Sequence, residues 1–287
     1  MRSPYNNSPP VGPTRKPARF AYGCLLSCTL LAGLLSACKT SAPPARAASS
    51  LAPLRTAADS LARRITAHAG GLEAWDALPL LRFDWASLRD GAEASRRKHL
   101  WDRRTGAYRV EWRRGADSIF VALFDVDALD APTGRVGLNG RELDTAAAAP
   151  RLAQAYELFI NDTYWLLFPL KLFDPGVRRA LAPDSADTTT EVLALSFENV
   201  GLTPGDRYWL RAERETGRLV GWTYLLEEAE APARWSFAEE AALPTPAGPL
   251  RLPTRKTRSD GARVVLTPVY PVADLPADAF TSLRPLL

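Results

Sequence analysis

The sequence predicts a mainly β fold of the α+β kind: a single curved antiparallel half-barrel of about eleven strands with helices on its concave side. Three observations predict it. Apolar and polar residues alternate over most of the chain after residue 80, turn dipeptides separate the alternating runs at short intervals, and helical spacing is confined to a segment before residue 80 and one near residue 150.

Taken in order, Leu54, Ala58, Leu61 and Ile65 recur at helical spacing up to Ala69, where Gly70-Gly71 stops the run. A short second turn over 72–78 ends at Pro79. The period then becomes two. Leu81, Phe83 and Trp85 alternate with Arg82, Asp84 and Ala86, and Tyr108, Val110 and Trp112 alternate with Arg109, Glu111 and Arg113. This is the pattern of antiparallel strands with one solvated face. Thr105-Gly106, Arg114-Gly115, Asn139-Gly140, Thr216-Gly217 and Asp260-Gly261 mark turns. The runs between turns fall near 80–88, 96–102, 107–113, 117–125, 135–138, 141–145, 189–198, 206–213, 218–227, 233–242, 249–258 and 262–270. One helix interrupts them, from about Ala148 to Tyr164. No repeat period and no internal linker divides residues 54–287, so one domain is expected there.

An eight-stranded barrel is just filled by its own side chains, so a sheet of about eleven strands curls around more volume than that. Helices, a bound apolar ligand, or both must occupy the concave side. At this point the chain resembles the family of LolA/LolB-like lipoprotein carriers and related outer-membrane lipoproteins, over roughly residues 54–285. The resemblance rests on the first helix ending Gly70-Gly71 with Trp75 just after it, and on the strand meander that follows. It rests also on the inserted helix leading into Asn161-Asp162-Thr163-Tyr164-Trp165-Leu166-Leu167-Phe168-Pro169-Leu170-Lys171-Leu172-Phe173-Asp174-Pro175-Gly176 and on the late segment Asp274-Leu275-Pro276-Ala277-Asp278-Ala279-Phe280. It implies a LolA-like half-barrel, lidded by helices, that holds acyl chains. The middle motif is more similar to the lipoproteins of this superfamily than to the soluble carrier, which lacks a lipid anchor.

The N-terminal residues give an address. Arg15, Lys16 and Arg19 precede an apolar run from Phe20 to Ala37, which ends Leu35-Ser36-Ala37-Cys38. A basic region, an apolar region and small residues before the cut are the parts of a secretory signal, and the ending resembles a bacterial lipobox with Cys38 as the lipid attachment site. A membrane span is the alternative, but the run is near the lower length limit and holds Gly23, Ser27, Gly33 and Ser36. Residues 1–37 are thus expected to be a signal peptide, and the small, Pro-containing residues 38–53 a flexible tether. By resemblance to the usual sorting rule, Lys39 favours the outer membrane. The chain as a whole has 36 Lys and Arg against 32 Asp and Glu, a formal charge of +4. Arg2, Arg15, Lys16 and Arg19 account for the whole excess, so the chain from Cys38 onward is formally neutral. The basic balance therefore describes the export signal and gives no hint of a nucleic-acid partner.

Little in the sequence points to catalysis. Its three cysteines are Cys24, Cys28 and Cys38, so removal of the signal and acylation of Cys38 would leave no thiol for catalysis, redox relay or a zinc site. The two histidines, His68 and His99, are far apart, and His99 lies in Arg96-Arg97-Lys98-His99, a setting that repels a metal cation. No Gly-x-Ser-x-Gly elbow or phosphate-cradling glycine loop occurs. Asp125, Asp127 and Asp130 begin like a calcium loop, but Val136 stands where a closing Glu is needed. No cofactor and no metal are expected. The basic stretch Arg96–Arg114 reads as a hairpin face kept soluble by charge, with anionic lipid headgroups as the alternative partner.

The segment Phe159–Phe173 is the strongest candidate site. It places Phe159, Tyr164, Trp165, Phe168 and Phe173 among five aliphatic residues, with Pro169 breaking the helix. It reads either as the lid of a hydrophobic pocket or as core beneath a curved sheet. Asp162 and Lys171 are its polar members, able to orient a headgroup or to pair with each other, and Trp209, Trp222 and Trp235 on later strands are candidates for lining the same concavity. The expected protein is a monomeric, non-enzymatic lipoprotein of the outer membrane that binds an acyl chain or a lipoprotein ligand, through Phe159, Asp162, Tyr164, Trp165, Phe168, Lys171 and Trp222. A structural or interaction module with a plugged concavity is the alternative, and a carboxylate-dependent hydrolase the third. For the address, Cys38→Ala should abolish labelling with an alkyne fatty acid and move the protein out of the membrane fraction. Labelling that persists in the variant would refute the lipobox.

Overall fold

The computed structural model describes residues 55–128, 133–198, 205–270, 272 and 275–287. The expected signal peptide, the tether and Cys38 lie outside the described residues. Within them, the chain opens with helix α1 (Ala57–His68) and the short α2 (Gly71–Asp76). Thr56 caps α1: its hydroxyl accepts from the Asp59 backbone N–H at 3.1 Å, and the Asp59 carboxylate accepts from the Thr56 backbone N–H at 3.1 Å. Gly70 ends the helix at φ 102°, and the Arg251 N–H donates to the Ala69 carbonyl at 3.0 Å, so this corner is tied to a late strand.

Six strands follow: β1 (Leu80–Arg89), β2 (Ala92–Asp102), β3 (Ala107–Arg113), β4 (Ile119–Asp125), β5 (Gly134–Leu138) and β6 (Arg141–Glu142). The long helix α3 (Thr145–Leu167) comes next and runs into a 3₁₀ turn at Phe168–Leu170. Seven more strands complete the order: β7 (Val177–Leu181), β8 (Thr190–Phe197), β9 (Arg207–Glu213), β10 (Leu219–Leu225), β11 (Ala233–Leu243), β12 (Leu250–Arg258) and β13 (Arg263–Pro268). All thirteen form one antiparallel sheet in the order β6-β5-β4-β3-β2-β1-β13-β12-β11-β10-β9-β8-β7. It is thus two meanders stitched together at the middle, where the first strand pairs with the last, Phe83 opposite Pro268 and Trp85 opposite Leu266. The outer edges are β6 and β7, which are neighbours in sequence. The 23 residues of α3, about 34 Å at the helical rise, are the link between those edges.

The sheet is open and mainly β, as the alternation predicts, with thirteen strands where about eleven are expected from twelve runs, one run being discounted. Each of the twelve apolar runs is a strand, and β7 is the addition. Val177-Arg178-Arg179-Ala180-Leu181 lacks clean alternation because it is a half-exposed edge strand. β2 begins four residues before the expected start, since Asp90 (φ 50°) and Gly91 (φ 80°) make a two-residue hairpin turn directly after β1. Helix α3 begins at Thr145, capped by Asp144, whose carboxylate accepts from the Ala147 N–H at 2.9 Å.

The inward faces of both meanders and the three helices share one core, from Leu61 and Ile65 on α1 through Tyr108 and Phe124 to Leu210 and Trp222. The opposite face is not uniformly solvated. Residues 279–287 lie back across β3 and β4, where Leu283 packs with Val121 and Leu123. Arg109, predicted to face water, is fully buried there. It donates to the carbonyls of Ala279 (2.9 Å), Ser282 (2.6 Å) and Arg284 and pairs with Glu111, which accepts the Leu286 N–H at 2.8 Å. Tertiary cover from a distant segment reverses the exposure that alternation implies.

A Cβ at Gly70 would sit 2.5 Å from the Pro249 carbonyl oxygen, at a positive φ, whereas a Cβ at Gly91 meets nothing within 4 Å. Gly70→Ala should therefore lower the unfolding free energy by about 1–3 kcal/mol. Gly91→Ala, which carries the φ strain without the clash, should lower it by less; urea unfolding of the two variants reads the difference.

Candidate functional site in the concavity

Helix α3 lies on the concave side and meets both halves of the sheet. Its middle faces the first meander: the Phe159 ring centroid is 4.7 Å from that of Tyr108 and 5.6 Å from that of Trp101, both edge-on. Its end faces the second meander. Trp165 stands edge-on to Trp222 and Trp235, each at 4.9 Å, Phe168 is 4.7 Å from Trp222, and Tyr164 is 5.8 Å from Tyr208. Pro169 and the turn it starts are held from the other side by α1, whose Thr66 hydroxyl donates to the Pro169 carbonyl at 2.9 Å.

Between the two aromatic basins lies a buried charge. Asp162 is fully shielded from water. Its Oδ2 is 2.7 Å from Arg97 Nε and 3.1 Å from His99 Nε2, and its Oδ1 accepts from Asn161 Nδ2 at 2.7 Å. His99 Nδ1 lies 2.8 Å from the Tyr108 hydroxyl. The tautomer with hydrogen on Nε2 satisfies both ring nitrogens: Nε2–H donates to Asp162, and the Tyr108 O–H donates to Nδ1. Burial raises the Tyr108 phenol well above its ordinary value, so it stays a donor. Burial also lowers the His99 imidazole below its ordinary value, against the opposing pull of Asp162. Phe83 stacks on the His99 ring at 4.5 Å, and the Arg97 guanidinium lies 3.7 Å over the Trp85 ring. One side chain of α3 thus clamps the helix to β1, β2 and β3.

A second buried charge lies in the other basin. Lys256, on β12, is fully buried. Its Nζ donates to the Pro253 carbonyl at 2.7 Å and lies 5.3 Å from the Phe237 ring and 5.9 Å from those of Trp165 and Phe168. Among the described residues it has no ion-pair partner, and desolvation pushes its amine well below the ordinary lysine range. In the same half of the sheet the Trp222 and Trp235 indole N–H groups are buried with no hydrogen-bond acceptor among the described residues.

Of the residues singled out in the sequence, Phe159, Asp162, Phe168 and Trp222 are buried in the concavity, with Tyr164 and Trp165 half-buried beside them. Lys171 lies apart from Asp162: 42 % of its side chain is exposed and it pairs with Asp174 at 2.5 Å. Trp235 shares the concavity, whereas Trp209 pairs with Ala194 in the row that alternates with the core residues Leu193 and Leu210, on the convex face. The basic stretch 96–114 is dispersed rather than gathered into a patch. Arg96 pairs with Asp84 and Glu93, Arg97 with Asp162, Arg104 with Asp102, and Arg109 with Glu111. Arg97, His99 and Lys256 were hidden in sequence by their basic neighbours. The signal that reveals them is register, because Arg97 and His99 stand opposite Trp85 and Phe83, and Lys256 opposite Phe237. Among the described residues no three His, Cys, Asp or Glu side chains converge as a metal site.

The open antiparallel sheet with helices in its concavity defines the protein as a mainly β half-barrel. No protein-family model matches the chain, and no curated protein matches it. Among solved structures the chain is similar to a LolA superfamily protein of Nitrosomonas europaea, at 15% identity over 79% of this chain and 98% of that one, with a TM-score of 0.42. It is similar as well to a DUF1329 family protein of Desulfovibrio piger, at 13% identity over 77% and 94% of the two chains, with a TM-score of 0.45. A third is a domain of Vibrio parahaemolyticus named for outer membrane lipoprotein sorting, at 10% identity over 77% and 95%, with a TM-score of 0.34.

Asp162→Ala removes the carboxylate shared by the half-buried Arg97 and the buried His99 and should destabilise the protein by about 3–5 kcal/mol in urea unfolding. Because the folded imidazole of His99 is depressed below 6.5, the unfolded chain takes up a proton there that the folded chain refuses, and stability falls as pH drops through that value. Unfolding midpoints should therefore decline between about pH 6.5 and 5.5, above the range of ordinary carboxylates, and His99→Gln should flatten that part of the profile.

Proposed function

We propose that the protein is a non-enzymatic envelope lipoprotein, anchored at the outer membrane through Cys38, whose half-barrel binds an acyl chain or another apolar ligand between its concave sheet and its helices. The observation that carries this reading is how the concavity is closed. The sheet ends in two edges, β6 and β7, and its aromatic interior is covered by α3 and the 3₁₀ turn after it rather than by further strands. Such a cover can part from the sheet without breaking a single strand ladder. An alkyl chain taking its place would gain about 0.8 kcal/mol for each methylene buried. Phe159, Tyr164, Trp165, Phe168 and Trp222 would line the chain.

A second reading, an interaction module in an envelope complex, is favoured by a specific observation: Leu166, Phe168 and Leu193 are fully buried and Trp222 nearly so, with the concavity filled by the protein's own side chains. Native mass spectrometry of the full chain, gently released from its membrane, separates the two. The lipid-binding reading expects a co-purifying acyl lipid, or uptake of a fluorescent fatty acid when none has co-purified. A chain that carries no lipid and takes up no fatty acid refutes it in favour of the module.

A further inference from the structure

The concavity is rich in unanswered donors, and this specifies the head of the ligand. We propose that Lys256 is the binding residue for the carboxylate of a fatty acid, with the Trp222 indole as its second donor; this rests on the acyl-binding reading above. An ammonium has three N–H groups, and here one donates to the Pro253 carbonyl while aromatic rings surround the rest. Buried lysines are ordinarily paired with a carboxylate, yet among the described residues none pairs with Lys256. Trp222 Nε1 has no acceptor among the described residues either.

These two donors belong to one basin. Lys256 stands opposite Phe237 on β11, Phe237 lies two residues from Trp235, and Trp235 stands opposite Trp222. Trp165 and Phe168 bridge the group, since Phe168 and Trp165 each touch the Trp222 ring and lie within 6 Å of Lys256 Nζ. What the basin lacks is an anion with two acceptor oxygens attached to an apolar body. A carboxylate on an alkyl chain supplies both, one oxygen for each donor, and its charge offsets the desolvation that the lysine bears alone. Two of the rings over Nζ, those of Trp165 and Phe168, belong to the helical cover and not to the sheet. Parting the cover therefore uncovers the amine and the indole together, with Phe237 and Trp235 left on the sheet as the start of the channel for the chain.

The test sets a charged head against a neutral one on the same chain length. Equimolar palmitic acid and methyl palmitate are offered together to the full chain in detergent micelles, and adducts are counted by native mass spectrometry. The wild-type protein should carry the acid at least tenfold over the ester. Lys256→Met, which removes the charge and keeps an unbranched side chain one atom shorter, should bind the two equally while melting no lower than wild type. Equal binding of acid and ester by the wild type, or an acid preference that survives Lys256→Met, overturns the assignment of the head and leaves the acyl site standing. Binding of neither probe overturns both.

Discussion

The Asp162 carboxylate, fully buried and shared by Arg97 and His99, is the interaction on which the rest of the concavity depends. Helix α3 has to travel from one edge of the sheet to the other, and an amphipathic helix on that path must lay its apolar stripe against the sheet. Apolar packing alone is not directional. A single charge answered by two groups fixed on β2 sets the helix's position along its axis. That placement brings Phe159 to the first meander and Trp165 and Phe168 to the second. The remaining cover follows, because the turn at Pro169 is where α1 attaches through Thr66.

Two cations that face the concavity, Arg97 and Lys256, do different work. Arg97 faces a carboxylate on one side and the ring of Trp85 on the other, and so it stabilises the closed arrangement. Lys256 has only a backbone carbonyl and aromatic faces, an arrangement that penalises its charge. In a self-sufficient core a methionine would serve there at lower cost in free energy. The charge in one half of the concavity thus has a carboxylate partner, and the charge in the other half has none among the described residues.

Much of the fold was legible in the sequence, and what escaped shares one cause. Alternation located the strands because a half-buried strand exposes its period directly, as at Leu81-Arg82-Phe83-Asp84-Trp85. It failed at β7, an edge strand with little buried on either face, and at the start of β2, where Asp90-Gly91 turns the chain without an apolar residue to mark it. The aromatic run 159–173 was legible as important, since so many rings in one segment must be buried somewhere. Which polar residue joined it was not: Asp162 and Lys171 are nine positions apart, and a helix followed by a turn sends them to opposite environments.

Local periodicity and composition were enough for the class of fold and for the helical segments that fill it. Only the tertiary structure decided which charges lie inside. Burial of His99, Asp162 and Lys256 depends on strand register and on the path of α3. Burial of Arg109 depends on a segment some 170 residues away that folds back over it. A charge is stable in a core only where distant partners converge on it, and that convergence is a property of the assembled sheet, invisible to any window along the chain.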